Sequence, residues 1–76
     1  MSYTPILYFT KSDFDSVSTM LRELKETSTE VREENVKCYK LEMFDVCFIP
    51  STEFSNTNAI IRKALDNAGM VYEAWE

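Results

Sequence analysis

A chain of 76 residues supports one domain with a single core, and at that size it buries only roughly 60–65% of its unfolded surface, so modest stability is expected. It has no histidine and one glycine, Gly69, and so lacks the usual general base, the commonest metal ligand and any glycine-rich loop for phosphate. The net charge of −5 speaks against direct nucleic-acid binding, and the 45% hydrophobic content against disorder. The acidity is uneven. Residues 12 to 34 hold seven acids against three bases.

Thr4 to Thr10 is a short apolar run with Pro5 near its start, where a missing amide is tolerated in a strand. Ser12 is placed to cap a following helix, whose first turn carries Asp13 and Asp15 at the positive end of the dipole. Phe14, Val17, Leu21 and Leu24 then recur at helical spacing, with Met20 on the flank. Thr27-Ser28-Thr29 weakens helical preference, and the acids of residues 26 to 34 would oppose a helix C-terminus, which favours a stop near residue 27. Residues 28–35 fit loop, helix extension or early strand.

Residues 36 to 49 read as a hairpin reversing at Glu42-Met43. That register sets Leu41 against Phe44, Lys40 against Asp45, Tyr39 against Val46, Cys38 against Cys47 and Val36 against Ile49, each a sensible pair. One face would hold Tyr39, Leu41, Phe44, Val46 and Phe48. The other would hold Val36, Cys38, Lys40, Asp45, Cys47 and Ile49. Glu-Met suits a two-residue turn badly, so a slightly wider loop in the same register is expected. Pro50 ends the strand, and Ser51 to Thr57 is a polar loop before a second helix bearing Ile60, Ile61, Ala64, Leu65 and Ala68 on its apolar side. Gly69 stands where a C′ glycine belongs, with Met70 as its hydrophobic contact, and Val71 to Trp75 suits a short last strand.

The expected elements are strands near 4–10, 36–42, 44–50 and 70–75 and helices near 13–27 and 56–68. This is a single α+β domain of ferredoxin-like βαββαβ order, an antiparallel sheet with both helices on one face and the other face open. The fold hosts many unrelated functions.

Asp13-Phe14-Asp15-Ser16-Val17 resembles the D-x-D-x-V nucleophile loop of haloacid-dehalogenase-type phosphatases, but the larger α/β body those enzymes need has no room here. A calcium loop fails too, for want of its glycine and distal glutamate. Ile49-Pro50-Ser51 after a strand–helix start resembles the loop beside thioredoxin-like active sites, with Asp13 and Ser16 where cysteines would stand; a shortened, redox-inactive relative is one alternative. Cys38 and Cys47 cannot form a zinc site alone and read as small buried hydrophobes. No cofactor or metal is expected.

What remains is a non-enzymatic, acidic interaction module that inhibits or modulates a larger protein with a basic surface, without touching nucleic acid or membrane. In size and composition such chains resemble phage-encoded host inhibitors. A dimeric small-molecule-sensing ferredoxin-like domain is the other alternative, and a homodimer is compatible with either. The candidate contacts are Glu23, Glu26 and Glu30 on the acidic segment and Tyr72 and Trp75 near the end of the chain, with Tyr3 and Tyr8 beside them. The longest apolar runs, 6–9 and 46–49, are far short of a membrane span. Met-Ser-Tyr-Thr-Pro is no secretory signal, so a cytoplasmic protein with free thiols is expected.

Overall fold

Two apolar runs form the middle of the sheet. In the computed structural model, which describes residues 4–31 and 36–75, β1 (Ile6–Thr10) and β3 (Val46–Ile49) pair antiparallel, Leu7 opposite Ile49 and Phe9 opposite Cys47. The short strands β2 (Tyr39–Leu41) and β4 (Glu73–Trp75) flank them, giving an antiparallel sheet in the order β2-β3-β1-β4. With α1 (Phe14–Thr27) and α2 (Ser55–Asn67) between strands, this is the ferredoxin-like βαββαβ order. Among the described residues no helix is long and apolar enough to cross a membrane.

Alternation along the strands divides the sheet. Leu7, Phe9, Cys47 and Ile49 are buried and point toward the helices. Val17 and Leu21 from α1 and Ile61 and Leu65 from α2 close the core against them, with Phe14, Met20, Leu24 and Ile60 packed around the margin. Val31 and Val36 complete it from outside any helix or strand. The α1 stripe and its stop at residue 27 match the reading of the sequence. Ser28 is extended, Thr29-Glu30 turn, and the part of the ambiguous segment from 32 to 35 lies outside the described residues.

Three details differ from the sequence expectation. The hairpin pairs Tyr39 with Phe48, Lys40 with Cys47 and Leu41 with Val46, so the register is slid by one residue on each strand. The slid register sets Tyr39 beside Phe48, where the rings stack at 5.6 Å, and Leu41 beside Val46. No non-glycine residue among those described has positive φ, and a two-residue turn at Glu42-Met43 would demand it. The chain instead makes a four-residue connection, opened by a turn in which the Phe44 N–H donates to the Leu41 carbonyl at 3.3 Å. Cys38 is therefore diagonal to Cys47 rather than opposite it. Lys40 does not face Asp45; its ammonium lies 4.5 Å from the centroid of the Phe14 ring.

Ser12 does not cap α1, because the chain enters the helix through a 3-10 turn at Lys11–Asp13 with no side-chain cap. The Lys11 N–H donates to the Asp45 carbonyl instead, tying this turn to the hairpin loop. At the other helix, Phe54 holds the N-cap position, again without a side-chain cap. The expected capping chemistry of that loop serves tertiary contacts: the Thr57 hydroxyl donates to the Glu30 carbonyl at 2.8 Å, and the Thr52 N–H donates to the Thr4 hydroxyl at 2.7 Å. The latter contact, with the Ser51 hydroxyl donating to the Thr4 carbonyl, continues the β1–β3 seam past Pro50.

The end of α2 follows the sequence closely. Gly69 has φ of +70°, its N–H donates to the Asp66 carbonyl at 3.1 Å, and the Met70 N–H donates to the Leu65 carbonyl at 3.0 Å. This is the Schellman arrangement, with Met70 packed on the core as its apolar contact.

Candidate interaction surface

The same alternation that builds the core sends Ile6, Tyr8, Tyr39, Leu41, Val46, Phe48, Glu73 and Trp75 to the face of the sheet that carries no helix. Cross-strand pairing lines aromatics across it. Tyr39 stacks on Phe48 with centroids 5.6 Å apart, and Tyr8 follows on Phe48's other side at 6.0 Å. β4 extends the surface with Glu73 opposite Tyr8 and Trp75 opposite Ile6.

At the end of the sheet where the β2–β3 loop meets the entry to β4, this face is hollowed. Tyr8, Leu41, Phe44, Val46, Glu73 and Trp75 line a shallow depression of about 430 Å³. Tyr8, Val46 and Glu73 also line an adjoining one, of about 250 Å³, to which Asp45 and Val71 contribute and which reaches Phe9 and Tyr72 on the helix side. The two form one open groove with carboxylates at Asp45 and Glu73 and no basic residue among its described lining. Three of its lining side chains are apolar and exposed: Val71 81%, Phe44 64% and Trp75 58%. Large aromatic and aliphatic side chains clustered in solvent on one face mark interaction surfaces more often than scattered single ones do.

The candidate residues fall in different places. Trp75 is on the groove, and its indole Nε1–H donates to the Glu73 carboxylate at 3.1 Å. Tyr72 lines the adjoining depression from the helix side, its ring 6.0 Å from that of Phe9 and its hydroxyl donating to the Asp66 carboxylate while accepting from Arg62 Nε. Glu23 and Glu26 are exposed on α1, on the opposite side of the domain from the groove. Glu30 stands beyond the helix end in a turn, its N–H bonded to the Ser28 hydroxyl. Arg22 and Lys25 share α1 with these acids and, with Lys37, line a cleft beside Cys38, so the helix surface is mixed in charge. Tyr3 lies outside the described residues. No single flat partner could touch both Glu23 and Trp75.

Phe44, Val71 and Glu73 are not marked as surface candidates by the sequence alone. The expected register pairs Phe44 with Leu41, and the observed one leaves it in the loop that walls the groove. The alternation of Tyr39, Leu41, Val46 and Phe48 was the available signal, once joined to Tyr8.

The thiols are buried on the helix side and unpaired by any disulfide. Burial, and a hydrogen bond to Cys47, push the Cys38 thiol up to about 12, and burial likewise raises Cys47. Cys47 in turn donates to the Thr10 carbonyl at 3.5 Å. Among the described residues no three acidic or thiol side chains gather in a way that could hold a metal ion. The chain matches no protein-family model, no curated protein and no solved structure.

Proposed function

We propose that this protein is a non-enzymatic interaction module that binds a larger protein through the open face of its sheet, and modulates that protein by occupying its surface. One observation supports the reading above the others: an aromatic face left bare by both helices, with Trp75 and Phe44 in solvent on its groove and Val71 on the adjoining depression. Tryptophan and tyrosine anchor protein interfaces through large, partly apolar area that loses little freedom on binding.

A row of aromatics on the central strands of such a sheet is also a platform on which single-stranded nucleic acid can stack. That use requires cations to neutralise phosphate, whereas the charges lining this groove are Asp45 and Glu73. A protein partner suits the charge better. The acids of α1 then act at long range, steering a basic partner toward the domain without lying in the contact.

Affinity capture from a lysate of the native cell or host, with wild type and Trp75→Ala compared side by side, tests the proposal. The expected result is a protein retained by wild type and lost by the variant. Capture that survives Trp75→Ala and fails on reversing Glu23, Glu26 and Glu30 would move the contact to α1. Turnover of a metabolite by the isolated chain would reject the non-enzymatic reading.

A further inference from the structure

The groove has a chemistry narrower than apolar. Three rings, those of Tyr8, Phe44 and Trp75, and one carboxylate, that of Glu73, line a single depression of about 430 Å³, a volume within the range of ligand-binding sites. Aromatic faces carry negative potential and attract cations, most strongly when a carboxylate stands beside them. Elsewhere the chain meets that attraction with its own side chains: Lys37 lies 5.1 Å from the Tyr39 centroid, Lys40 4.5 Å from Phe14 and Arg62 5.8 Å from Tyr72. Among the described residues no cation of the chain lies over Tyr8, Phe44 or Trp75. The groove's rings lack a cation, as those of Phe9, Phe48 and Phe54 also do, and they sit beside Glu73 with Asp45 lining the adjoining depression.

We infer that the groove receives an arginine side chain of the partner, its guanidinium against the Trp75 and Phe44 rings and paired with the Glu73 carboxylate. Arginine fits better than lysine for two reasons. Its plane stacks on aromatic faces, and its fork of N–H donors matches a carboxylate, while an ammonium holds its water more tightly. Glu73 is held for that task, since one of its oxygens already accepts the indole N–H, leaving the other free to take a guanidinium donor. The chain's net charge of −5 supports the same polarity at longer range. This inference rests on the proposed use of the sheet face and adds the chemistry of what enters it.

Trp75 is the only tryptophan, so its fluorescence reports the groove directly. The probe is a blocked tripeptide, acetyl-Ala-Arg-Ala-amide, titrated against the same peptide with citrulline, the neutral isostere of arginine. We expect a saturable change with the arginine peptide and at least tenfold weaker binding of the citrulline one. Glu73→Gln, which keeps an acceptor for the indole, should weaken the arginine peptide about three- to fivefold, the range set by a partly exposed ion pair. Phe44→Ala, in the loop, should weaken it as well. Equal responses to the two peptides, no saturable response, or loss of binding on Glu23→Gln/Glu26→Gln with Glu73→Gln silent would each overturn the inference. Concentration-dependent self-association abolished by Trp75→Ala would overturn it too, by making a second copy the occupant. A captured partner lost by Trp75→Ala but indifferent to Glu73→Gln would sink the arginine assignment while leaving the sheet-face reading intact.

Discussion

The Trp75 indole donates to the Glu73 carboxylate at 3.1 Å, two positions back on the same strand and on the same face of the sheet. A large side chain in solvent is thereby given one orientation before anything binds. Less conformational freedom then remains to be lost on association.

Trp75→Ala should accordingly raise the dissociation rate of a captured partner and cost about 2 kcal/mol or more of binding. Because the side chain is more than half exposed in the free domain, folding stability should change far less. Surface plasmon resonance together with urea unfolding separates the two. A large stability loss with unchanged binding would make Trp75 a structural cover and nothing more.

Reversing Glu23, Glu26 and Glu30 to lysine should act on the association rate alone. The two helix acids face away from the sheet, so their influence on a partner at the groove is long-ranged and screened within about 8–10 Å at physiological salt. Slower association at low salt, converging with wild type at high salt, is the expected pattern. A faster dissociation would place the contact on α1.

Replacing Gly69 by alanine should destabilise the domain by about 1–2 kcal/mol, the penalty for a side chain in the left-handed region. A Cβ there meets no atom within 4 Å, so the loss is one of backbone conformation with no clash to relieve. Asn should recover part of it. Thermal unfolding of the three variants gives the order Gly, Asn, Ala, and an alanine variant as stable as wild type would contradict the positive φ.

Thr57→Val removes a hydroxyl from a residue with 1% exposure and strands the Glu30 carbonyl it serves. The expected loss is about 1–3 kcal/mol, that of an acceptor left without its donor. Thr57→Ser should retain most of the stability. A loss in Thr57→Ser with Thr57→Val as stable as wild type would instead assign the site's contribution to packing of the methyl group.

The thiols set an alkaline limit. Cys38 ionises at about 12 in the folded domain against 9.0 for an ordinary thiol, because burial penalises the thiolate; Cys47 moves the same way. The unfolded chain therefore loses thiol protons first as pH rises. The stability these groups contribute is fully present below about pH 9 and falls between there and about 12. The urea midpoint should decline from pH about 8 to about 10.5, and less steeply in Cys38→Ala. At neutral pH both thiols should react slowly with alkylating agents, and dithiothreitol should leave the melting temperature unchanged.

Much of this fold could be read from periodicity. The α1 stripe, the placing of the two most apolar runs at the centre of the sheet, and Gly69 as the helix stop all follow from local patterns that tertiary structure did not override. The hairpin register could not be read in the same way. A shift of one residue on each strand preserves which side chains share a face, so the hydrophobic pattern is satisfied either way, and turn conformation decides. The capping hydroxyls misled for a related reason. Ser and Thr can serve a helix end or a distant carbonyl equally well, and only the fold reveals that Thr57 reaches Glu30. As for the groove, Trp75 could be nominated by residue type, but Phe44 and Glu73 join it only because β4, from the far end of the chain, lies beside β1, whose other neighbour is β3 of the hairpin.

That adjacency has a kinetic meaning. β1 cannot complete its hydrogen bonding until residues 73–75 arrive beside residues 6–8, a closure spanning almost the whole sequence. Loops of that length close late and slowly, whereas the hairpin and the two helices rest on near neighbours. The docking of β4 is thus the expected final event of folding, and the one most easily undone by local opening. Since β4 supplies both Trp75 and Glu73, the domain becomes competent to bind only in that last step. Stopped-flow refolding followed through the single indole should lag the signal from helix formation, and an occupant of the groove would act as a latch on the edge strand that folds last.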